Sequence, residues 1–284
     1  MSTAELVVVA WGALVFLMIG SFTCVVIDRL PLKLAEPNEF GDTWDTRPWH
    51  EVTGGRSRCS SCGEPVRVLD NVPVLSFLLL RGRCRGCAER IPGFHPIVEV
   101  LCALLFLCAV WAIGLEWRIL PALVLIPVGL AVAAIDLRVL IVPTRLVWPA
   151  LAVIVVVSVV AAGLEGEWQL LLTSLVGVAS LAGPLFLLWF AVPSGMGFGD
   201  VRLAVLLGWA IGFYAGTRPL AGVLIALVCL VLASVLGLAI GIVAIGARGR
   251  KAQVPFGPAL VLGSFLCIAF AEPILDGWDL YSLV

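Results

Sequence analysis

The sequence predicts an all-α polytopic membrane protein carrying a small cytoplasmic zinc-knuckle loop domain. Three observations carry that reading. Of 284 residues, 61% are hydrophobic and only 13% are charged. Mean hydropathy is +1.11, far outside the range of a soluble globular domain. The apolar residues gather into runs long enough to cross a bilayer, which takes about 20 residues, and about eight such runs are present: 6–27, 96–115, 119–135, 146–163, 170–192, 201–217, 219–246 and 256–272. The sixth and eighth are short. No internal repeat and no low-complexity tract is evident. The expected organisation is a first transmembrane helix over 1–27, a cytoplasmic loop over 28–95 and a membrane core over 96–284.

The run 6–27 follows no Lys or Arg and precedes no small-residue cleavage site, so it reads as a retained span rather than a secretion signal. Short loops rich in Lys and Arg stay in the cytoplasm. With the N-terminus outside, sixteen of the eighteen basic residues fall inside, ten of them between 28 and 95, and Arg138, Arg145, Arg202, Arg248, Arg250 and Lys251 make up the rest. Only Arg118 and Arg218 fall outside, beside the acidic Glu165, Glu167, Glu272, Asp276 and Asp279. The formal charge of −1 therefore averages two unlike faces. It points to no nucleic-acid partner; the lipid bilayer is the partner that composition demands.

The 28–95 loop holds most of the charge and the stretch "CSSCGEPVRVLDNVPVLSFLLLRGRCRGC". Cys59 and Cys62 form one C-x-x-C, Cys84 and Cys87 a second, separated by slightly more than the usual zinc-ribbon spacing. Two such pairs close a tetrahedral Cys₄ site with no open position, which is structural rather than catalytic zinc. A cytoplasmic location keeps thiols reduced and argues against disulfides; redox dithiols and unliganded cysteines are the alternatives. Cys24, Cys102, Cys108, Cys229 and Cys267 lie in apolar runs and read as small hydrophobes. Between the pairs, "VLDNVPVLSFLLL" is too short, and too broken by Pro73, to span. It reads as a hairpin packed under the knuckle or resting on the bilayer. His50 and His95 lack metal-ligand spacing and read as ordinary polar residues.

Charged residues in or beside spans are costly and mark function by default. Glu99 sits about one turn into its span, where it either reaches the interface, pairs with a loop arginine or contacts substrate. Asp136, in "LAVAAIDLRVLIVPTRL", and Asp200, in "SGMGFGDVRL", both fall at cytoplasmic ends of spans and can meet. Each has a structural alternative: Asp200 as a helix N-cap, Asp136 paired with Arg138 or Arg145. Gly195, Gly197 and Gly199 exceed what a cap needs and allow close approach of backbone or ligand. Two aspartates with no Ser-His constellation suggest water activation by a carboxylate pair. Helix-end polarity assigns the ionised role to Asp200 and the protonated one to Asp136.

These residues resemble the prepilin peptidases, the type IV leader peptidases of pilus and type II secretion systems. "GSFTCVVIDRLP", the cysteine loop followed by "IPGFHPIVEV", "AIDLRVLIVPTRL", "GMGFGDVRL" and "VPFGPALVLG" are similar to the family's motifs over nearly the whole chain. Three departures stand out: His95 replaces a Tyr, Arg202 stands where Lys is common, and Thr144 stands where a further Asp is frequent. The resemblance implies an aspartic endopeptidase of the bacterial inner membrane that removes the basic leader of prepilin or pseudopilin substrates on the cytoplasmic face. Catalysis would fall to Asp136 and Asp200. It also implies N-methylation of the new terminus by S-adenosylmethionine, with Gly82, Arg83 and Glu99 as the region for that cofactor. An ion- or proton-coupled transporter and a non-catalytic scaffold are the rival readings.

Overall fold

The computed structural model describes residues 2–34, 44–192, 196–248 and 254–276. Gly195, Arg250, Lys251, Asp279 and residues 35–43 lie outside the described residues. The chain divides into two compact units, Met1–Val110 and Trp111–Val284.

The first unit contains α1 (Thr3–Arg29), a two-stranded antiparallel ribbon of β1 (Pro31–Lys33) and β2 (Trp44–Thr46), the short α2 (Trp49–Thr53) and α3 (Leu75–Leu79), and α4 (Phe94–Ile113). Ser2 starts α1 with a reciprocal cap, its hydroxyl accepting from Glu5 N–H at 3.2 Å while Glu5 Oε2 accepts from Ser2 N–H at 2.7 Å. Between α1 and α4, Phe16 stacks on Phe106 with ring centroids 4.7 Å apart. Nearby, Gly20 lies so close to the Glu99 backbone that a Cβ there would come within 2.7 Å of Glu99 Cα. In lipid no hydrophobic drive holds helices together, so close packing at small residues does.

The second unit holds α5 (Leu120–Val139), α6 (Thr144–Glu165), α7 (Gln169–Ala191), α8 (Phe198–Tyr214), α9 (Pro219–Arg248), α10 (Gly257–Ala269) and α11 (Ala271–Asp276). Six helices in the described residues are long and apolar enough to cross a membrane: α1, α4, Trp117–Val139, α6, α7 and Pro219–Ala244. The sixth and eighth apolar runs become shorter helices, α8 of 17 residues and α10 of 13. Pro121 lies in the first turn of α5, and Pro143 precedes α6, where a missing N–H costs nothing.

Nearly all of α8 is buried. Its Gly208 and Gly212 lie against α7, where added Cβ atoms would meet the Gly177 and Thr173 carbonyls. Trp209 Nε1–H donates to Ser158 Oγ on α6 at 3.2 Å. At the far end, the Tyr214 hydroxyl donates to Arg118 C=O at 2.7 Å and accepts from Ala122 N–H at 3.0 Å. Such a bond, made away from water, is worth about 1 kcal/mol net and far more against leaving the groups bare. These contacts fix the height and rotation of α8, and so place Asp200 in its first turn.

Candidate active site and cysteine module

Asp136 is 5% exposed, in the last turn of α5. Its carboxylate Oδ2 accepts a 2.9 Å hydrogen bond from Gly257 N–H, at the start of α10 in the "VPFGP" element. A Cβ at residue 257 would fall 2.7 Å from that same oxygen, so glycine is what lets the backbone reach it. Asp136 therefore stands between two helix ends of opposite polarity, the negative end of α5 and the positive end of α10. Reading its protonation from α5 alone gives an incomplete account, and the division of labour between the aspartates does not follow from it.

Asp200 is half-buried, the third residue of α8. It is not the N-cap: Gly197 holds that position and makes no side-chain cap bond. Asp136 closes α5 and Asp200 opens α8, two helices in contact with each other. Gly199 is needed for the approach, since a Cβ on it would come within 2.9 Å of Val142 Cβ in the link after α5. Gly197 faces no such crowding. Arg202 Nη1–H donates to Thr144 Oγ1 at 2.6 Å, and its guanidinium lies 4.8 Å over the Phe198 ring. Two of the three residues that depart from the resembled motifs are thus each other's partners, tying the start of α6 to the first turns of α8.

In the first unit, the ligand atoms of Cys59, Cys62, Cys84 and Cys87 all lie within 4.8 Å of one another. Cys59 Sγ and Cys87 Sγ are 3.7 Å apart, close to the roughly 3.8 Å between sulfurs on one tetrahedral zinc. Backbone N–H groups of Cys62 and then Ser61 aim at Cys59 Sγ and pull its thiol down from 9.0 to about 6. The donor set can hold a metal ion.

The module is a short internal repeat, one that is not evident at the scale of the whole chain. "RCSSCGEPV" and "RCRGCAERI" fold identically: Cys59 N–H donates to Glu64 C=O at 3.0 Å and Cys84 N–H to Glu89 C=O at 2.8 Å. Gly63 N–H and Ala88 N–H return to the carbonyls of Cys59 and Cys84, both residues at positive φ of 70° and 58°. Arg58 Nη1 caps Gly63 C=O at 3.1 Å, and Arg83 Nη1 caps Ala88 C=O at 3.3 Å. The shared R-C-x-x-C-x-E pattern was the available signal. Arg85, inside the second knuckle, grips Asp70 with two bonds of 2.9 and 2.6 Å; the first effect of that grip is to hold the Asp70 carboxyl below its usual range.

Beside the knuckles a cavity of about 670 Å³ is lined by Asp28, Arg29, Asp70, Arg85, His95 and Glu99, among others. Of the three residues expected near a cofactor, Glu99 lines it; Gly82 and Arg83 do not. Gly82, at φ +66°, packs under Phe77 and its carbonyl accepts from Ile91 N–H at 2.8 Å, while Arg83 closes its knuckle. Glu99 is 7% exposed and accepts from Val74 N–H at 2.7 Å. His95 is more than a polar bystander, with Nε2 2.8 Å from Asp28 Oδ2 on the cavity wall.

The class so defined is a polytopic helical membrane protein with carboxylates at helix ends of its core, preceded in sequence by a four-cysteine module able to hold a metal ion. Two family models match along the chain in that order: the Bacterial Peptidase A24 N-terminal domain over residues 14–113 and the Type IV leader peptidase family over 123–242. Among curated proteins named "Prepilin leader peptidase/N-methyltransferase", that of Aeromonas hydrophila is 32% identical, covering 91% of this chain and 89% of its own. That of Pseudomonas putida is 32% identical over the same shares. That of Myxococcus xanthus (strain DK1622) is 33% identical over 94% of this chain and 74% of its own. No solved structure matches. The chain belongs to the type IV leader peptidase family.

Proposed function

We propose that this protein is an aspartic endopeptidase that cuts the basic leader from prepilin-like proteins at the cytoplasmic border of the bacterial inner membrane, with its N-terminus outside and the 28–95 loop inside. The observation that carries the reading is a buried Asp136 at the end of α5, oriented by Gly257 N–H, with Asp200 opening α8, a helix packed against α5. One carboxylate takes a proton from water as that water attacks the scissile carbonyl; the other, protonated, hydrogen-bonds the carbonyl oxygen and later returns a proton to the leaving amine. Gly257 N–H holds the Asp136 carboxylate in one orientation throughout. A substrate that is an apolar helix with a basic leader presents its cut site at the membrane surface, where helix-end carboxylates can reach it. A transporter would need its acids nearer the midplane.

The same chain N-methylates the new terminus in this reading. S-adenosylmethionine supplies the electrophilic methyl group when bound, and the cavity of about 670 Å³, within the usual range for cofactor sites, has Glu99 and Asp28 on its walls as carboxylates able to hold the cationic groups involved. Zinc on Cys59, Cys62, Cys84 and Cys87 is structural and shapes that wall.

The test is mass spectrometry of a co-expressed prepilin's N-terminus. Asp136→Asn and Asp200→Asn should each abolish cleavage while the protein still inserts and keeps its metal, and cleavage by the parent should resist serine and thiol reagents. Processing by either variant at a rate near the parent's would overturn the paired-carboxylate mechanism.

A further inference from the structure

The stretch 68–80 lies between the two knuckles, yet it reaches far along the membrane helices of its own unit. Val74 N–H donates to Glu99 Oε2 at 2.7 Å, and Glu99 in turn backs onto Gly20 of α1. Gly20 stands nine residues before Arg29, the last residue of α1, or roughly 13 Å along the helix axis. Asn71 and Pro73 share a crevice with Met18 and Phe22, two α1 side chains that are 66% and 51% exposed on the face a span offers to lipid. The tip of this hairpin therefore lies alongside the last turns of α1, in a crevice that runs from Met18 and Phe22 to Arg29.

Its surface has the matching chemistry. Val68, Leu69 and Leu79 are 77%, 81% and 73% exposed, and Leu75 and Leu78 are exposed as well. Exposed Arg67 and Arg81 stand at the two ends of the stretch, where guanidinium groups meet lipid phosphates. An apolar segment of about 10–14 residues fits a re-entrant or interfacial element, and the one charge it carries, on Asp70, is held by Arg85. Irregular backbone at membrane depth must have its polar groups satisfied by protein. Here Ser76, Leu78 and Leu80 N–H bond to carbonyls within the hairpin, Ser76 Oγ–H donates to Val72 C=O, and the N–H of Val74, at the tight turn, is taken by the buried Glu99 carboxylate.

We propose that residues 68–80 form a re-entrant hairpin inserted beside α1, its exposed apolar side chains covered by lipid acyl chains and its turn held at depth by Glu99. The buried carboxylate is a positioning residue for this membrane insertion, and the hairpin seals one side of the neighbouring cavity from lipid.

The test uses the full-length protein in vesicles of phosphatidylethanolamine and phosphatidylglycerol. A diazirine amino acid is placed singly at Leu69, Leu79, Met18 as the lipid-facing reference and Ser60 as the solvent reference, and adducts are read by mass spectrometry after irradiation. Lipid adducts at Leu69 and Leu79 comparable to those at Met18, with none at Ser60, are expected. Yields at Leu69 and Leu79 matching Ser60, or cross-links to co-reconstituted prepilin or to a second copy of the chain in place of lipid, would overturn the proposal. Glu99→Leu, which strips the acceptor from Val74 N–H, should lower the lipid adduct at Leu79 several-fold while leaving that at Met18 unchanged; an unaltered Leu79 yield would remove Glu99 from the account.

Discussion

In the cysteine module each sulfur is placed by a turn a few residues long: the bonds that set Cys59 and Cys62 run within Arg58–Pro65, and those for Cys84 and Cys87 within Arg83–Arg90. In the membrane core nothing local places the carboxylates. Asp136 is oriented by Gly257 from α10, and Asp200 is carried by a helix whose height is set by glycines against α7, Trp209 against α6 and Tyr214 against the start of α5. A local scaffold should fail locally and a packed one globally, and variants can break or sharpen that contrast.

The largest effect belongs to the α7–α8 seam. Gly212→Leu would drive a side chain into the Thr173 backbone, and overpacking of this kind costs about 1–3 kcal/mol or more. Cleavage should be lost with both carboxylates still present, the melting temperature should fall, and metal content per folded chain should hold. Next comes Gly257→Ala, whose Cβ would meet Asp136 Oδ2 at 2.7 Å. Alanine is a better helix former than glycine, so stability should stay near the parent's while cleavage drops by about tenfold or more, the scale of losing one preorganised donor. A drop in melting temperature equal to that of Gly212→Leu would blur the contrast.

Cys62→Ser or Cys87→Ser should release the metal, measured by elemental analysis, and loosen the module while leaving a substantial part of the cleavage. Acid should act on the same module. The four cysteines hold a metal as thiolates, so protons compete with it and its release should follow as pH falls. Titration should show the module loosening, read by hydrogen exchange at 59–66, before the core responds.

The smallest effects are expected at two side-chain pairs, Asp70 with Arg85 and Thr144 with Arg202. Asp70→Asn removes one side of the Arg85 grip, a half-exposed pair, and exposed pairs are worth at most about 1 kcal/mol. Thr144→Asp, which offers Arg202 a carboxylate in place of a hydroxyl, should leave folding unchanged and alter cleavage only modestly.

The apolar helices and the clustering of the four cysteines were legible in the sequence because each is written in short stretches. A run of apolar side chains declares a helix in lipid wherever it sits, and a C-x-x-C turn closes on itself. The sequence also placed Asp136 and Asp200 at helix ends, where the structure has them. It left a cap open as the alternative for Asp200, because capping depends on where Gly197 lets the helix begin. It did not disclose the Gly257 N–H on Asp136, the Thr144–Arg202 bond, Glu99 beneath Val74 or the cavity wall with Asp28 and His95. All of these join residues far apart in the chain, and each depends on which faces of which helices touch. A membrane sequence says little about that, since lipid and neighbouring helix are equally apolar; the choice falls to small residues such as Gly177, Gly208 and Gly212, whose meaning appears only when the opposing backbone is in place.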